Sequence, residues 1–213
     1  MTTKKSKTTK YKAYMLRTCA QDMSAYGSFI WPKKGLVTCP DWEPSPKCGH
    51  GLHGLLWGEG DASMLDWEEG AQWLVVGIDE WVEIDGKVKT PRGNVVYCGD
   101  RQGAAALLVS LGADPAKCVG GTSTSGNWGT STSGNEGTST SGNWGTSTSG
   151  NWGTSTSGDW GTSTSGDGGT IVIQYYDAAA NRYRLKVGYI GEDGLKANTA
   201  YRLEGDKFVE AKK

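Results

Sequence analysis

The stretch GTSTSGNW at residues 121–128 decides the fold of the middle of this chain. It recurs in unbroken register as GTSTSGNW, GTSTSGNE, GTSTSGNW, GTSTSGNW, GTSTSGDW and GTSTSGDG, ending at Gly168. A flexible Gly/Ser linker has a similar composition. A linker, however, needs no constant period, and it would leave recurring Trp side chains without the roughly 1.5–3 kcal/mol that each gains on burial. We therefore interpret the array as a repeat structure.

Each octet combines a strand with a corner. The TSTS segment alternates with the period of a β-strand, and the Gly-Asn or Gly-Asp that follows favours a turn. Two octets then form one coil of 16 residues with two faces, so that six octets form about three coils. The coils stack at the strand spacing of about 4.8 Å. The sequence predicts a short β-solenoid.

Stacking at this period predicts ladders of identical side chains. We expect the small serines to fill the narrow interior and the threonines to point outward, with the reverse orientation as the alternative. One corner stacks three tryptophans, and the opposite corner carries Glu136, Trp152 and Gly168. The predicted binding surface consists of Thr122, Thr124, Thr138, Thr140, Thr154, Thr156, Trp128, Trp144 and Trp160.

Composition changes on both sides of the array and predicts four regions. Residues 1–10 form a disordered basic tail, 11–119 a small α+β domain, 120–170 the solenoid, and 171–213 an antiparallel β region that caps it. Within the first domain we expect helices over 61–69 and 100–111, a strand within 26–32, and a hairpin across Asp85-Gly86.

General properties exclude several functional classes. A formal net charge of -1 argues against nucleic-acid binding, which depends on an excess of Lys and Arg. The sequence contains no apolar run of roughly 18 residues and no apolar segment behind the basic N-terminus, so we expect neither a membrane span nor a signal peptide. Five cysteines at irregular spacing favour a reduced, cytoplasmic location.

Both histidines lie in the segment KCGHGLHG, at His50 and His53, close to Cys39 and Cys48. These four side chains are possible zinc ligands, although their spacing matches no standard zinc motif. Two alternatives stay open. The cysteines can be small buried residues while the histidines form hydrogen bonds in a loop, or His53 can be catalytic. Zinc is the one cofactor that the pattern suggests.

The Thr-x-Thr octets resemble the repeats of bacterial ice-nucleation proteins and of Thr-x-Thr β-solenoid antifreeze proteins. The whole arrangement, including the Gly-Leu-His segment and the C-terminal stretch GTIVI…YRLKVGYIGEDGLKANTAYRL, also resembles a group of uncharacterised phage and prophage proteins. The order of strand, Gly-Leu-His segment and predicted helix is similar to ADP-ribosyltransferase-like domains. That third resemblance implies a catalytic glutamate, for which Glu80 and Glu83 are candidates.

Three functional hypotheses follow. The first is a non-enzymatic phage-type assembly protein, located in the host cytoplasm or on the virion, whose Thr, Ser and Trp ladders mediate homo-oligomerisation or bind a host or phage protein. The second is ice binding through the threonine rows. The third is an NAD-using enzyme centred on His53 and Glu80.

Overall fold

The computed structural model describes residues 10–211, so that residues 1–9 of the predicted basic tail lie outside the described part of the chain. The chain divides between Asp114 and Pro115 into two compact units. Each unit has its own β-sheets and its own buried core.

The N-terminal unit is built on an antiparallel sheet with the strand order β2-β7-β4-β1-β3-β6-β5. The strands are β1 (Ala13–Cys19), β2 (Gly35–Thr38), β3 (Leu52–Leu56), β4 (Gln72–Ile78), β5 (Val82–Ile84), β6 (Lys87–Thr90) and β7 (Arg92–Gly99). Helix α1 (Arg101–Leu111) follows β7. The Asp100 side chain caps it by accepting a hydrogen bond from the Gly103 N–H, and Gly112 ends it at a φ of 123°.

The apolar sequence of β4 places that strand inside the sheet, between β1 and β7. Leu74 and Val76 of β4 pack with Met15 of β1 and Val95 of β7 in the core of the unit. A strand that is buried on both faces needs such a continuous apolar run. The predicted inner position of this strand agrees with the structure, as does the hairpin of β5 and β6.

Two short predictions in this unit are wrong for identifiable reasons. The segment 61–69 forms only a short 3-10 turn, Ala62–Met64, because the Asp61 and Asp66 carboxylates bind the N–H groups of Ser63 and Glu68. Such local bonds compete with a helix. The segment 26–32 bends through Tyr26–Ser28, where Gly27 has a φ of 71° and cannot continue a strand.

The C-terminal unit begins with the predicted solenoid. Its strands are β8 (Thr122–Thr124), β9 (Thr130–Thr132), β10 (Thr138–Thr140), β11 (Thr146–Thr148), β12 (Thr154–Ser157) and β13 (Thr162–Thr164). Even-numbered strands pair in parallel on one side and odd-numbered strands on the other, always with a shift of 16 residues. This pairing confirms the coil of two octets and the stack of about three coils.

Four further strands continue the two solenoid sheets beyond the last octet. They are β14 (Thr170–Asp177), β15 (Arg182–Tyr189), β16 (Tyr201–Glu204) and β17 (Lys207–Glu210). Strand β14 adds in parallel to β12 and then forms an antiparallel hairpin with β15, whereas β16 joins β13 and pairs with β17. The predicted antiparallel β cap is therefore confirmed.

Inside this cap, isoleucines take over the positions of the interior serines. Ile171 and Ile173 lie directly beside Ser155 and Ser157 in the parallel register, and both isoleucines are fully buried. Ile171 packs with Leu195 in a small apolar core. The overall fold class, an α+β N-terminal domain followed by a β-solenoid and a C-terminal β cap, agrees with the sequence-based prediction.

Candidate functional site

The outward side of strands β8, β10 and β12 carries a grid of threonines, which we call the first threonine face. It consists of Thr122, Thr124, Thr138, Thr140, Thr154, Thr156 and Thr170. Thr138 pairs with Thr122 on one side and with Thr154 on the other, and Thr154 pairs in turn with Thr170 of β14. Neighbouring strands are about 4.8 Å apart, and alternate residues along a strand are about 6.6 Å apart. The face is therefore a regular two-dimensional array.

The opposite side of the solenoid carries a matching array, the second threonine face, on strands β9, β11 and β13. It consists of Thr130, Thr132, Thr146, Thr148, Thr162 and Thr164. Here the next strand is antiparallel, and it meets β13 through the single pair Ser163 and Tyr201. No threonine continues these rows beyond the third coil in the described strands.

The serines between these threonines point inward, as the alternation predicts. Ser139, Ser147, Ser155 and Ser163 are fully buried. The Ser147 hydroxyl donates to the Ser139 carbonyl at 2.9 Å, and the Ser139 hydroxyl donates to the Ser131 hydroxyl at the same distance. The interior is thus a chain of hydrogen bonds between small side chains, which brings the two faces close together and holds the threonines outward.

Asparagine ladders hold the coils in register at both corners. The Asn127 side-chain oxygen accepts a hydrogen bond from the Asn143 N–H at 2.9 Å, and the Asn143 oxygen accepts one from the Asp159 N–H at 3.0 Å. Asn135, Asn151 and Asp167 repeat the pattern at the other corner. Side-chain ladders of this kind stabilise flat, untwisted sheets. The sequence interpretation assigned these residues only to turns and missed their ladder.

The predicted tryptophan corner is present, but its rings are not buried as the sequence argument expected, since Trp128 is 74% and Trp144 49% exposed. Trp144 stacks on Trp128 with ring centroids 5.1 Å apart and on Trp160 at 5.4 Å, with the rings within 9° of parallel. Trp144 has a φ of 58°, a left-handed conformation that bulky residues rarely adopt. At the opposite corner the Trp152 ring lies over Gly168, where any side chain would collide with it.

The predicted zinc ligands Cys39, Cys48, His50 and His53 all line one cavity, but they are not arranged around a common point. The Asp41 carboxylate accepts a hydrogen bond from the Cys39 thiol at 3.1 Å and binds the His50 Nδ1 at 2.8 Å, whereas the Cys48 sulfur lies 3.3 Å from the Lys87 Nζ. Burial raises the pKa of Cys39. Among residues 10–211, no group of three or more His, Cys, Asp or Glu side chains is arranged to hold a metal ion.

His53 and Glu80 occupy different surroundings. His53 lines a cavity of about 810 Å³ that is formed within the N-terminal unit, and the residues lining that cavity include neither Glu80 nor Glu83. Glu80 is exposed and lies 3.7 Å from the Arg92 Nε. Burial, followed by the charges of nearby cations, lowers the pKa of His53 to about 4, so that its imidazole is neutral at physiological pH.

Sequence reasoning missed Arg17, which lines the same cavity. Its guanidinium lies over the Trp31 ring at 4.6 Å and donates to the His53 carbonyl oxygen at 2.8 Å. The available signal was a single cation inside the otherwise apolar strand sequence AYMLRTC. Buried charges of this kind are often functional because their desolvation is unfavourable.

The fold and its threonine rows define a Thr-x-Thr β-solenoid. No protein-family model and no solved structure matches the chain. Its curated relatives include the ice nucleation protein InaU of Pantoea ananas, 36% identical over 111 residues that cover 50% of this chain and 11% of the relative. An ice nucleation protein of Pseudomonas syringae pv. syringae is 39% identical over 118 residues, 54% of this chain and 10% of the relative. The chain thus spans about a tenth of the length of these relatives.

These relatives confirm the likeness of the octets to ice-nucleation repeats and correct the first functional hypothesis. The phage-type assembly hypothesis is wrong because the curated matches are ice nucleation proteins, which favour ice binding over both assembly and ADP-ribosyl transfer. The likeness of the whole chain to phage proteins stays a prediction, as do the expectations on partners, location and zinc. Within residues 10–211, no helix has the length and apolar character needed to cross a membrane.

Proposed function

We propose that the protein binds ice through the first threonine face. The single observation that carries this proposal is the in-register pairing of identical threonines across successive parallel strands, from Thr122 through Thr138 and Thr154 to Thr170. This pairing presents hydroxyl and methyl groups at a fixed repeat that is similar to the spacing of water molecules in ice. A surface with that repeat can hold water in an ice-like arrangement.

Threonine suits this role because its side chain is stiff. A β-branched residue has a restricted χ1 angle, so identical neighbours on a sheet place their hydroxyl groups in identical positions. The buried serine chain and the asparagine ladders fix the strands beneath them. A face that is already ordered loses little conformational entropy when it binds a lattice. The methyl groups limit how freely water can move between the hydroxyls.

The first face is the stronger candidate because its row through Thr122, Thr138 and Thr154 is one strand longer than any row of the second face. Thr170 of β14 extends that row to a fourth strand, whereas the second face has three strands of threonine. The relatives bear the name ice nucleation protein, and the match to them covers about half of this chain. A face of three to four strands is small compared with a critical ice nucleus at mild supercooling. We therefore propose adsorption to existing ice rather than efficient nucleation.

The test compares one substitution on each face. Thr138→Tyr places a large ring in the middle of the first face, and Thr146→Tyr makes the same change in the middle of the second face. We expect Thr138→Tyr to abolish most of the inhibition of ice recrystallisation and the thermal hysteresis, while Thr146→Tyr keeps most of both. Circular dichroism checks that the two variants keep the solenoid.

Two outcomes would contradict the proposal. If the parent protein neither inhibits recrystallisation nor partitions into growing ice, the chain does not bind ice. If Thr146→Tyr has the larger effect, ice binds to the second face instead. Measuring the freezing temperature of supercooled droplets separates adsorption from nucleation, because adsorption alone leaves that temperature unchanged.

A further inference from the structure

The cavity of the N-terminal unit concentrates positive charge next to apolar walls. Arg17 and Lys87 line it, and among its described lining residues Asp41 is the one carboxylate. The Asp41 carboxylate is already engaged with the Cys39 thiol and the His50 imidazole. Arg17 and Lys87 thus bring two permanent cations to the cavity, and among the residues described no direct ion pair joins either of them to a carboxylate. The pKa of Asp61 is lowered mainly by hydrogen bonds from Ser63 and to a smaller extent by the charge of Lys87, and Arg17 lies close to the Cys19 thiol.

Two polar atoms at this wall are buried and have no hydrogen-bond partner in the protein. They are the Nε of Arg17 and the Nε2 of His53. The backbone hydrogen bond between the His53 ring and Gly51 engages its other nitrogen. Leaving a buried polar group unpaired is energetically unfavourable. Two such groups on residues that line one cavity indicate a place for a ligand with polar atoms.

The electrostatic surroundings of His53 point to the sign of that ligand. Lys87 and Arg17 line the same cavity as His53, and Lys89 lies opposite His53 in the pairing of β3 with β6. Lys89 is completely buried behind the cavity wall, where its Nζ donates to the Lys47 and Gly49 carbonyl oxygens at 2.8 and 3.0 Å. Three cations thus produce a positive potential at the imidazole.

Apolar and aromatic side chains form part of the remaining wall. Phe29 and Trp31 form an edge-to-face pair at 5.9 Å, and Leu52 and Leu55 add aliphatic surface from β3. The volume of about 810 Å³ lies in the range of small-molecule sites. Because the Trp31 ring already supports the Arg17 guanidinium, an anionic group that binds this arginine would bring its apolar body against these walls.

We propose that this cavity binds a small organic anion, a carboxylate or phosphate with an apolar body, whose charged group contacts Arg17 and Lys87 beside the His53 imidazole. This site is separate from the threonine faces, and the proposal does not rest on ice binding. Arginine holds carboxylate and phosphate groups in a bidentate geometry, which makes it the main determinant of affinity. Lys87 adds a second, more mobile charge.

The experiment measures binding of three probes with the same aromatic body. The probes are 2-naphthoate, 2-naphthyl phosphate and the neutral 2-naphthamide, and isothermal titration calorimetry on the full chain gives their affinities. We expect at least one anion to bind about tenfold or more tightly than the amide, because a hydrogen bond to a charged group contributes about 1.5–3 kcal/mol. The relative affinities of the two anions show whether carboxylate or phosphate is the preferred group.

Variants locate the site. Arg17→Gln and Lys87→Gln each remove one half-buried cation of the cavity, and Lys34→Gln removes an exposed lysine outside the cavity as a matched control. We expect both cavity variants to lower the affinity for the preferred anion, Arg17→Gln by about tenfold. Lys34→Gln should leave that affinity unchanged. The imidazole signals of His53, one of two histidines in the chain, should shift when the anion binds.

Lys87→Gln keeps the test decisive if Arg17→Gln fails to fold. The proposal is overturned if neither anion binds saturably at millimolar concentration, if the amide binds as tightly as the anions, or if Lys87→Gln and Lys34→Gln have equal affinity. Binding that leaves the His53 signals unmoved also contradicts it, since the anion would then lie elsewhere.

Discussion

The N-terminal sheet and the solenoid bury opposite kinds of side chain. In the N-terminal sheet, Met15, Leu74 and Val76 are fully buried in an apolar core, whereas in the solenoid the fully buried positions are serines such as Ser139 and Ser147. An apolar core is stabilised mainly by the area that it removes from water. The serine interior is instead so narrow that one hydroxyl fills each position. We therefore expect the N-terminal sheet to lose stability when a buried side chain is made smaller, and the solenoid to lose stability when a buried side chain is made larger.

The largest expected effect tests that contrast directly. Ser139→Leu forces a large side chain into a closed interior and breaks two serine hydrogen bonds, so we expect a loss of about 3 kcal/mol or more in the free energy of unfolding. In the N-terminal sheet the damaging change is truncation, and Leu74→Ala should destabilise by about 2–5 kcal/mol. Chemical denaturation followed by circular dichroism measures both.

The neighbouring residue provides the control for the solenoid variant. Thr138→Leu makes a similar substitution one residue earlier, on the outward side of the same strand, and should change stability by no more than about 0.5 kcal/mol. If Ser139→Leu and Thr138→Leu proved equally stable, the interior would not be closed and the contrast between the two cores would fail.

A glycine pair tests the stacking of the coils. A Cβ atom at Gly158 would lie 2.3 Å from the Asn143 Oδ1 and 2.5 Å from the Asn143 N, whereas a Cβ at Gly126, the equivalent residue of the first coil, has nothing within 4 Å. We expect Gly158→Ala to destabilise by about 2–3 kcal/mol and Gly126→Ala to be neutral or slightly stabilising. Thermal unfolding of the two variants measures the difference. Equal melting temperatures would show that the asparagine ladder does not require glycine at position 158.

The tryptophan corner allows a finer comparison. Both Trp144→Ala and Trp144→Gly remove the central ring of the stack, and the near-ultraviolet circular dichroism of the coupled rings should decrease equally. Only glycine, however, adopts the left-handed φ of 58° without strain. Trp144→Gly should therefore be the more stable variant by about 1 kcal/mol. The opposite order would mean that the corner changes its backbone conformation after the ring is lost.

The smallest effect concerns pH and the N-terminal unit. The backbone hydrogen bond from Gly103 is the main cause that lowers the pKa of Asp100 below the ordinary aspartate value, so its carboxylate stabilises helix α1 at neutral pH. This contribution is complete above a pH of about 4 and is lost as the pH falls below that value through the lowered pKa. Asp100→Asn keeps a capping side chain without the charge, whereas Asp100→Ala removes both. We expect a small destabilisation in Asp100→Ala at pH 7 that shrinks at acidic pH.

Asp100→Asn is the matched control for that measurement. Its unfolding free energy should stay close to that of the parent at pH 7 and should lose the part of the pH dependence that arises from Asp100. A pH profile of Asp100→Asn identical to that of the parent would show that other carboxylates account for the acid sensitivity of the unit.

The solenoid could be predicted in detail because its rules are local and repeat. The eight-residue period, the alternation of Thr and Ser, and the position of Trp128 and Trp144 determined the coil length, the face of each side chain and the stacked corner. The asparagine ladder was missed because a turn residue and a ladder residue have the same sequence signature. Only in the folded chain does the Asn127 oxygen accept a hydrogen bond from Asn143 of the next coil.

The N-terminal cavity could not be predicted in this way. Its walls come from β1, β3 and the loops beside them, and the antiparallel pairing of β1 with β3 depends on contacts between residues that are far apart in sequence. The histidine-rich segment was recognised, but Arg17 and Lys87 could not be placed beside His53 from spacing alone. The helix predicted over 61–69 does not form, and a contact between distant residues again contributes, because the Asp66 N–H donates to the Thr18 hydroxyl of β1.

The coil of two octets has a consequence for the gene that encodes it. Recombination between octet-encoding units changes the length of the array, and a change by an even number leaves Thr170 in line with the first threonine face. A change by an odd number rotates the C-terminal strands by half a turn, so that β14 extends the other face. With an even number of octets the first threonine face is longer by the one strand that carries Thr170, as it is here. With an odd number the two outer rows have equal length, so the parity of the repeat number decides whether the two faces differ.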